Sequence, residues 1–453
     1  MTPQERSSRF LLPVVAQGLE PVVVASASGR TVTDIDGKAY LDCFSGISVV
    51  NAGHNHPRIL AAATEQMDKL VHAASCVYHV PVVGELAEKL AEIVPMHTSR
   101  DREGAGFSPS PPAPLPEGEG GNAKSFFANS GAEAIEGAMR LAKQHTGRRE
   151  IVALAYGFHG RTIGTLSITG NMGRKKNNGP YLPGVAFGPT PYCYRCPFQL
   201  TYPSCELACA EALRDTVRQQ TSGDVAAFVV EPILGEGGIL TPPAEYLTVA
   251  ARIMHEHGAL LIVDEVQTGF GRTGKMFGVE HSPDVEVDIM AMAKGIAAGF
   301  PLGAFTASAK IADAMKPGDH LSTFGGNPIA CAAALANIAV LQEERLIENA
   351  AERGAELLTR CKALQEKHAL IGDVRGRGLM IGLELVRDRT TKEPAPTEAK
   401  AIRARMRERG VLVGVGGIFG NVVRLQPPLS ITADECDRAM TALEQALRSP
   451  LAA

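Results

Sequence analysis

The sequence predicts an α/β fold built on a mainly parallel sheet. Three observations carry this expectation. Short apolar runs at 124–128, 150–155, 225–230, 259–263, 289–293 and 302–307 are too short for ordinary helices. Helical patterns or glycine turns lie between several of them. The clearest helix is 132–146, where Ala134, Ala138, Leu141 and Ala142 share one face. Runs that are apolar on both faces and alternate with helices belong to a sheet covered on both sides.

The remaining elements follow in order. After Asn327-Pro328 the pattern is helical over 331–367. Segments 378–386, 397–410, 411–415, 421–425 and 432–447 then alternate strand and helix, which predicts a smaller C-terminal α+β domain. The expected division is an N-terminal segment 1–60 packing with that small domain, a large domain 61–330, and the small domain 331–453. Residues 97–122 interrupt the large domain. Pro109, Pro111, Pro112, Pro114 and Pro116 crowd this stretch, whose composition suits a flexible surface insertion.

Composition narrows the function. The 453 residues carry 45 Lys+Arg against 49 Asp+Glu, a formal charge of −4. A dedicated nucleic-acid binder needs a basic surface, so this balance argues against one. No apolar run approaches the roughly 20 residues that span a bilayer. Met1–Arg9 contains no apolar stretch of a secretory signal, and the nine cysteines are expected to be reduced thiols in the cytoplasm. The 47 glycines exceed the roughly 7% average, so the chain has many tight turns or close backbone approaches.

Three sites could carry chemistry. Asn129-Ser130-Gly131-Ala132-Glu133 joins a strand to a helix, and the N–H groups of a helix start attract phosphate. Alone, Ser130 could be an ordinary cap. Leu260–Val263 leads into Asp264, a carboxylate at the end of a buried strand, where α/β sheets hold ligands. Burial raises its pKa unless a cation pairs with it, and a protonated heterocyclic nitrogen is such a cation. Met292-Ala293-Lys294-Gly295 ends another apolar run with a lysine, and a desolvated lysine can form a Schiff base. Phosphate, protonated pyridine and aldehyde together describe pyridoxal 5′-phosphate (PLP), an electron sink.

With these residues the sequence resembles the class III, fold type I, PLP-dependent aminotransferases. These include 4-aminobutyrate, ornithine, acetylornithine and type 2 alanine–glyoxylate aminotransferases. The matching motifs run in order: Gly53-His54-Asn55-His56-Pro57, Asn129-Ser130-Gly131, Phe158-His159-Gly160-Arg161-Thr162, Glu231-Pro232-Ile233, Asp264 to Gly274, Ala293-Lys294-Gly295, Ser322 to Pro328, and Gly420 to Leu425. The resemblance implies a large domain with a mainly parallel seven-stranded sheet and a smaller C-terminal α+β domain.

It also implies roles. Lys294 would hold the cofactor's aldehyde and then move a proton as general acid and base. Asp264 would pair with the pyridine nitrogen. Phe158 and Val266 would cover the two ring faces, and Gln267 would bond the phenolic oxygen. His159 and Glu231 would belong to the cofactor site. Ser130, Gly131 and Ala132 would bind phosphate, with Ala132 replacing a frequent threonine. Thr323 would reach the phosphate of a neighbouring subunit, making the active unit a homodimer or a dimer of dimers. Arg424 would clamp a substrate carboxylate, with Glu236 as its switch. Arg161 would be a second carboxylate-binding arginine, and Ile47 stands where ornithine enzymes carry tyrosine.

The expected reaction moves an amino group from an ω-amino acid, such as 4-aminobutyrate or β-alanine, to 2-oxoglutarate, pyruvate or glyoxylate. A PLP-dependent racemase or epimerase is the alternative on the same residues. A non-catalytic phosphate-ligand protein on the same fold is a third reading, disfavoured by Lys294, Asp264 and Gln267 together. Finally, Cys193, Cys196, Cys205 and Cys209 have a spacing that four zinc ligands could use, although it departs from common zinc ribbons.

Overall fold

The computed structural model describes residues 1–12, 20–96 and 123–448. The insertion expected at 97–122 lies outside the described residues.

Two sheets organise the chain. Strands β1 (Val24–Ser28), β2 (Thr31–Asp34) and β3 (Ala39–Cys43) precede β4 (Ala123–Ala128), β5 (Glu150–Leu154), β6 (Val185–Gly188), β7 (Val225–Val230), β8 (Leu260–Asp264), β9 (Ile289–Met292) and β10 (Gly303–Ser308). Beyond them lie β11 (Ile371–Arg377), β12 (Met380–Asp388), β13 (Glu393–Pro394), β14 (Val411–Gly416) and β15 (Val422–Leu425). The first sheet has seven strands in the order β4-β10-β9-β8-β7-β5-β6. Only β10 runs antiparallel to its neighbours; β9-β8-β7-β5-β6 are parallel throughout. The mainly parallel α/β fold expected from the sequence is what the chain adopts.

Why these residues form such a sheet is visible in β8. Leu260 and Ile262 enter the apolar cluster on one face, with Ala134, Ile135 and Ala138 of α1 (Gly131–Thr146). Leu261 and Val263 enter the larger cluster on the opposite face. Alternate residues point to opposite sides of a strand, so a run apolar throughout fits only a strand buried on both. Each fully buried side chain of this kind contributes about 1.5–3 kcal/mol. Helix α1 starts at Ser130, whose hydroxyl accepts from Glu133 N–H at 3.2 Å, and stops at Gly147 in the left-handed region (φ 69°).

The second sheet joins both ends of the chain. Its order is β1-β2-β3-β14-β15-β12-β11, with β13 beside β12. The junction is a parallel pairing of β3 with β14, Leu41 opposite Val411 and Cys43 opposite Val413. The sequence pattern did not identify β1, β2, β3, β6, β11 or β13. Of these, β1, β6 and β11 are edge strands, and β1 and β11 have no continuous buried face to leave a pattern. The helical stretch expected over 331–367 is two helices, α2 (Pro328–Glu343) and α3 (Leu346–Lys367). Arg345 between them takes a left-handed conformation (φ 53°), which a continuous helix excludes. No helix among the described residues is long and apolar enough to cross a membrane.

Candidate active site

The parallel strands deliver the site. β4, β5, β7, β8 and β9 end at Ala128, Leu154, Val230, Asp264 and Met292. Within four residues of those ends follow Ser130, Phe158, Glu231, Val266 and Lys294. Groups beyond the carboxyl ends of parallel strands converge on one crevice.

Asp264 is the centre. It is buried, its Oδ1 accepts from the Val266 N–H at 3.0 Å, and its Oδ2 lies 2.8 Å from His159 Nδ1. Burial by itself would depress the His159 pKa; the bond to Asp264 outweighs it and holds the imidazole above its usual value. His159 Nε2 is buried without a partner. Behind the imidazole, Glu231 accepts from Phe158 N–H (3.0 Å) and Gly235 N–H (2.9 Å). Burial pushes Glu231 up to about 7 despite His159. A carboxylate has about four acceptor directions, so Asp264 keeps capacity for one more strong donor.

Lys294 stands at the entrance to a short 3₁₀ turn, Lys294–Ile296, with φ +48°. That conformation is costly for a residue with a side chain and persists only where the surroundings enforce it. The enforcement is visible: Asn337 on α2, fully buried, donates to the carbonyls of Gly295 (2.8 Å) and Ile296 (3.1 Å). Burial lowers the Lys294 pKa; Asp264, Glu231 and Glu236 pull it back up, and Arg424 adds to the depression. The ammonium therefore sits within electrostatic reach of four of the residues expected beside it.

Gly131 and Ala132 open α1, and a helix leaves its first four N–H groups without an intrahelical acceptor. A Cβ on Gly131 would lie 2.9 Å from both methyls of Val266, so the glycine lets the strand end and the helix start close together. Gly160 brings Ala132 equally close to the Phe158 turn: its missing Cβ would lie 2.8 Å from that of Ala132. Phe158 is half-buried, and the exposed Arg161 guanidinium lies 5.7 Å above its ring. Gln267 is held by Gln426 (3.4 Å) and by Gly235, where no Cβ could be placed against its amide. Thr323 is exposed; its segment is tied to the start of α1 by Asn129 donating to Ser322 Oγ at 3.2 Å.

The rim carries charge. Glu236 Oε2 bonds Arg424 Nη1 at 3.2 Å, and its Oε1 bonds Arg174 Nη2. Burial would raise Glu236; Arg424 and Arg174 outweigh it and hold the carboxyl below its usual value. Arg424 is buried across Phe44, its carbon 5.4 Å from the ring centre. Ile47 is exposed in the left-handed bend at Ser45–Ser48 that follows Phe44 in the chain.

Sequence reasoning missed Arg174, Gln426 and Asn337. Arg174 lies on a single helical turn, Met172–Lys175, too short to leave a pattern that marks it. Gln426 was findable, since it follows Arg424 by two residues along an extended strand. The structure does not bring Cys193, Cys196, Cys205 and Cys209 into a group that could hold a metal, and no three such ligands cluster among the described residues. Cys193 faces solvent, whereas Cys209 packs against the core and burial pushes its thiol up to about 12.

PLP fits these groups. Asp264 offers an acceptor to a protonated ring nitrogen, the start of α1 offers donors to a phosphate, and Lys294 offers a buried amine to the aldehyde. Comparisons with known proteins agree. The sequence profile of the class-III aminotransferases matches residues 14–447. A leucine/methionine racemase of Thermococcus litoralis is 37% identical over 98% of this chain and 94% of its own. A 4-aminobutyrate aminotransferase of Mycobacterium bovis is 39% identical over 91% of this chain and 87% of its own. The crystal structure of a PLP-bound amine transaminase from an uncultivated Pseudomonas species superposes with a TM-score of 0.86, at 35% identity, covering 97% of this chain and 98% of that one. The chain belongs to the class-III aminotransferases, and it is a PLP-dependent transferase.

Proposed function

We propose that this enzyme takes an amino group from an ω-amino acid, such as 4-aminobutyrate or β-alanine, and gives it to a 2-oxo acid in a ping-pong cycle. The observation that supports this is the pairing of Glu236 with Arg424 at 3.2 Å. A donor without a carboxylate beside its amino group leaves the arginine to Glu236. An acceptor that carries one needs the arginine free to grip it bidentately. Arg161 suits a carboxylate at the far end of the donor.

PLP, when bound, supplies the electron sink. The chain's own groups do the rest. Asp264 keeps a proton on the ring nitrogen, and His159 fixes that carboxylate from behind. Ser130, Gly131 and Ala132 hold the phosphate, while Phe158 and Val266 close the two ring faces. The Gln267 amide donates to the phenolic oxygen. Lys294 Nζ, made less basic by burial, would hold and move the proton at the substrate carbon. Thr323 reaches the phosphate of a second copy, so the active unit is a homodimer. The free thiols suit the cytoplasm.

A donor panel of 4-aminobutyrate, β-alanine, ornithine and leucine, each with 2-oxoglutarate, pyruvate and glyoxylate, tests this reading. Oxo-acid-dependent transfer from an ω-amino acid is expected. Optical inversion of leucine without any oxo acid would replace it by racemisation, which the kinship to the racemase at 37% identity keeps as the second reading.

A further inference from the structure

The backbone that carries Glu236 is fixed. Gly238 and Ile239 N–H both return to Gly235 O at 3.2 Å, and Leu234 bridges Leu240. Arg375 on β11 caps this turn from the second sheet. Its guanidinium donates to Gly238 O at 2.7 Å and to Ile239 O at 3.1 Å. Buried Glu384 on β12 holds Arg375 Nη1 at 2.8 Å. Only the Glu236 side chain has freedom, and each of its oxygens faces a different arginine.

Those arginines are unequal. The Arg424 side chain is 5% exposed, lies flat on Gly416, and keeps a buried Nε with no partner. The Arg174 side chain is 40% exposed. It stands on the short helix Met172–Lys175, anchored by Lys175, whose buried Nζ donates to Ser167 O at 3.0 Å. Arg424 is thus built to accept one more anion, and Arg174 is built to stay with Glu236.

We propose that Arg174 is a positioning residue that sets carboxylate selectivity. It holds Glu236 when Arg424 turns to the carboxylate of a 2-oxo or α-amino acid. This rests on the reading of Arg424 as the carboxylate clamp. Glu236 is mostly buried, and a buried carboxylate stripped of its hydrogen-bonded cations is strongly disfavoured. With Arg174 present, Glu236 gives up one charge-assisted bond and keeps another. Without Arg174, Glu236 has Arg424 alone and competes with the incoming anion.

Calorimetric binding of glutarate, a non-reacting dicarboxylate, to the PLP-loaded enzyme tests this. Arg174→Gln is expected to weaken glutarate by about 10- to 100-fold, the worth of one charge-assisted hydrogen bond. Arg174→Lys should recover part of the loss. In a Glu236→Gln background Arg424 is already released, so adding Arg174→Gln should change nothing further. An equal loss in both backgrounds would mean that Arg174 touches the anion itself, and overturns the proposal. So does unchanged affinity in Arg174→Gln. If Arg424→Gln leaves glutarate binding intact, the underlying clamp reading fails instead.

Discussion

Asp264 and Arg424 both lie on buried strands, and each meets an ion of opposite charge. Their partners differ in freedom. Asp264 faces His159, a short ring with no exposed side-chain surface, itself backed by Glu231. Arg424 faces Glu236, a side chain that divides itself between two arginines. The floor of the site is therefore locked, and the rim shares one carboxylate between two cations. Locked groups suit one repeated proton transfer; a rim that must accept both a donor and an acceptor needs two arrangements.

Removing floor groups should cost most. Lys294→Ala deletes the amine proposed to move the proton, and turnover should fall by on the order of 10⁴-fold, read in steady-state transfer. Asp264→Asn leaves His159 facing a neutral amide. Breaking a buried pair costs about 3–5 kcal/mol of stability, so the melting temperature should fall. Turnover should fall as well, because a neutral amide no longer favours a protonated ring nitrogen, while circular dichroism still shows a folded protein. Recovery of wild-type rates in either variant would dissolve the contrast between floor and rim.

Packing comes next. Gly131→Ala would set a methyl 2.9 Å from Val266. Overpacking of this kind costs about 1–3 kcal/mol, and the loss should appear as weaker PLP retention on dialysis. A variant that binds PLP normally would show that the strand end can retreat.

Glu265 sharpens the comparison from the structural side. It is fully buried one residue from Asp264 and accepts from Gly278 N–H (2.9 Å) and Val279 N–H (2.7 Å). Burial pushes its carboxyl from the ordinary glutamate value of 4.5 up to about 7. The folded state then binds more protons than the unfolded one between these values, so this group's contribution to stability falls as pH rises through that window. Glu265→Gln should flatten the dependence of the melting temperature on pH over that interval. A slope identical to wild type would remove Glu265 as its source.

The smallest effect is expected at the outer rim. Arg161 is exposed and touches the Phe158 ring at 5.7 Å. Arg161→Ala should raise KM for 4-aminobutyrate by roughly fivefold, the worth of an exposed ion pair of about 1 kcal/mol, with kcat nearly unchanged. A large fall in kcat would move Arg161 from the rim to the floor.

The sequence by itself determined the parallel sheet and the residues at its strand ends, because both are local. A run such as Leu260–Val263 announces a strand buried on two faces, and the next residue, Asp264, must emerge at its end. Motifs around Lys294 and Ser130 are equally contiguous. Tertiary structure alone decided the rest. Edge strands β1 and β11 leave little pattern, since one face or both meet water. Arg174 reaches Glu236 across 62 residues, and Arg424 reaches it across 188. No spacing rule links three charges so far apart. They meet because two sheets, one of them joining both ends of the chain, bring a short helix, a turn and a strand to the same opening.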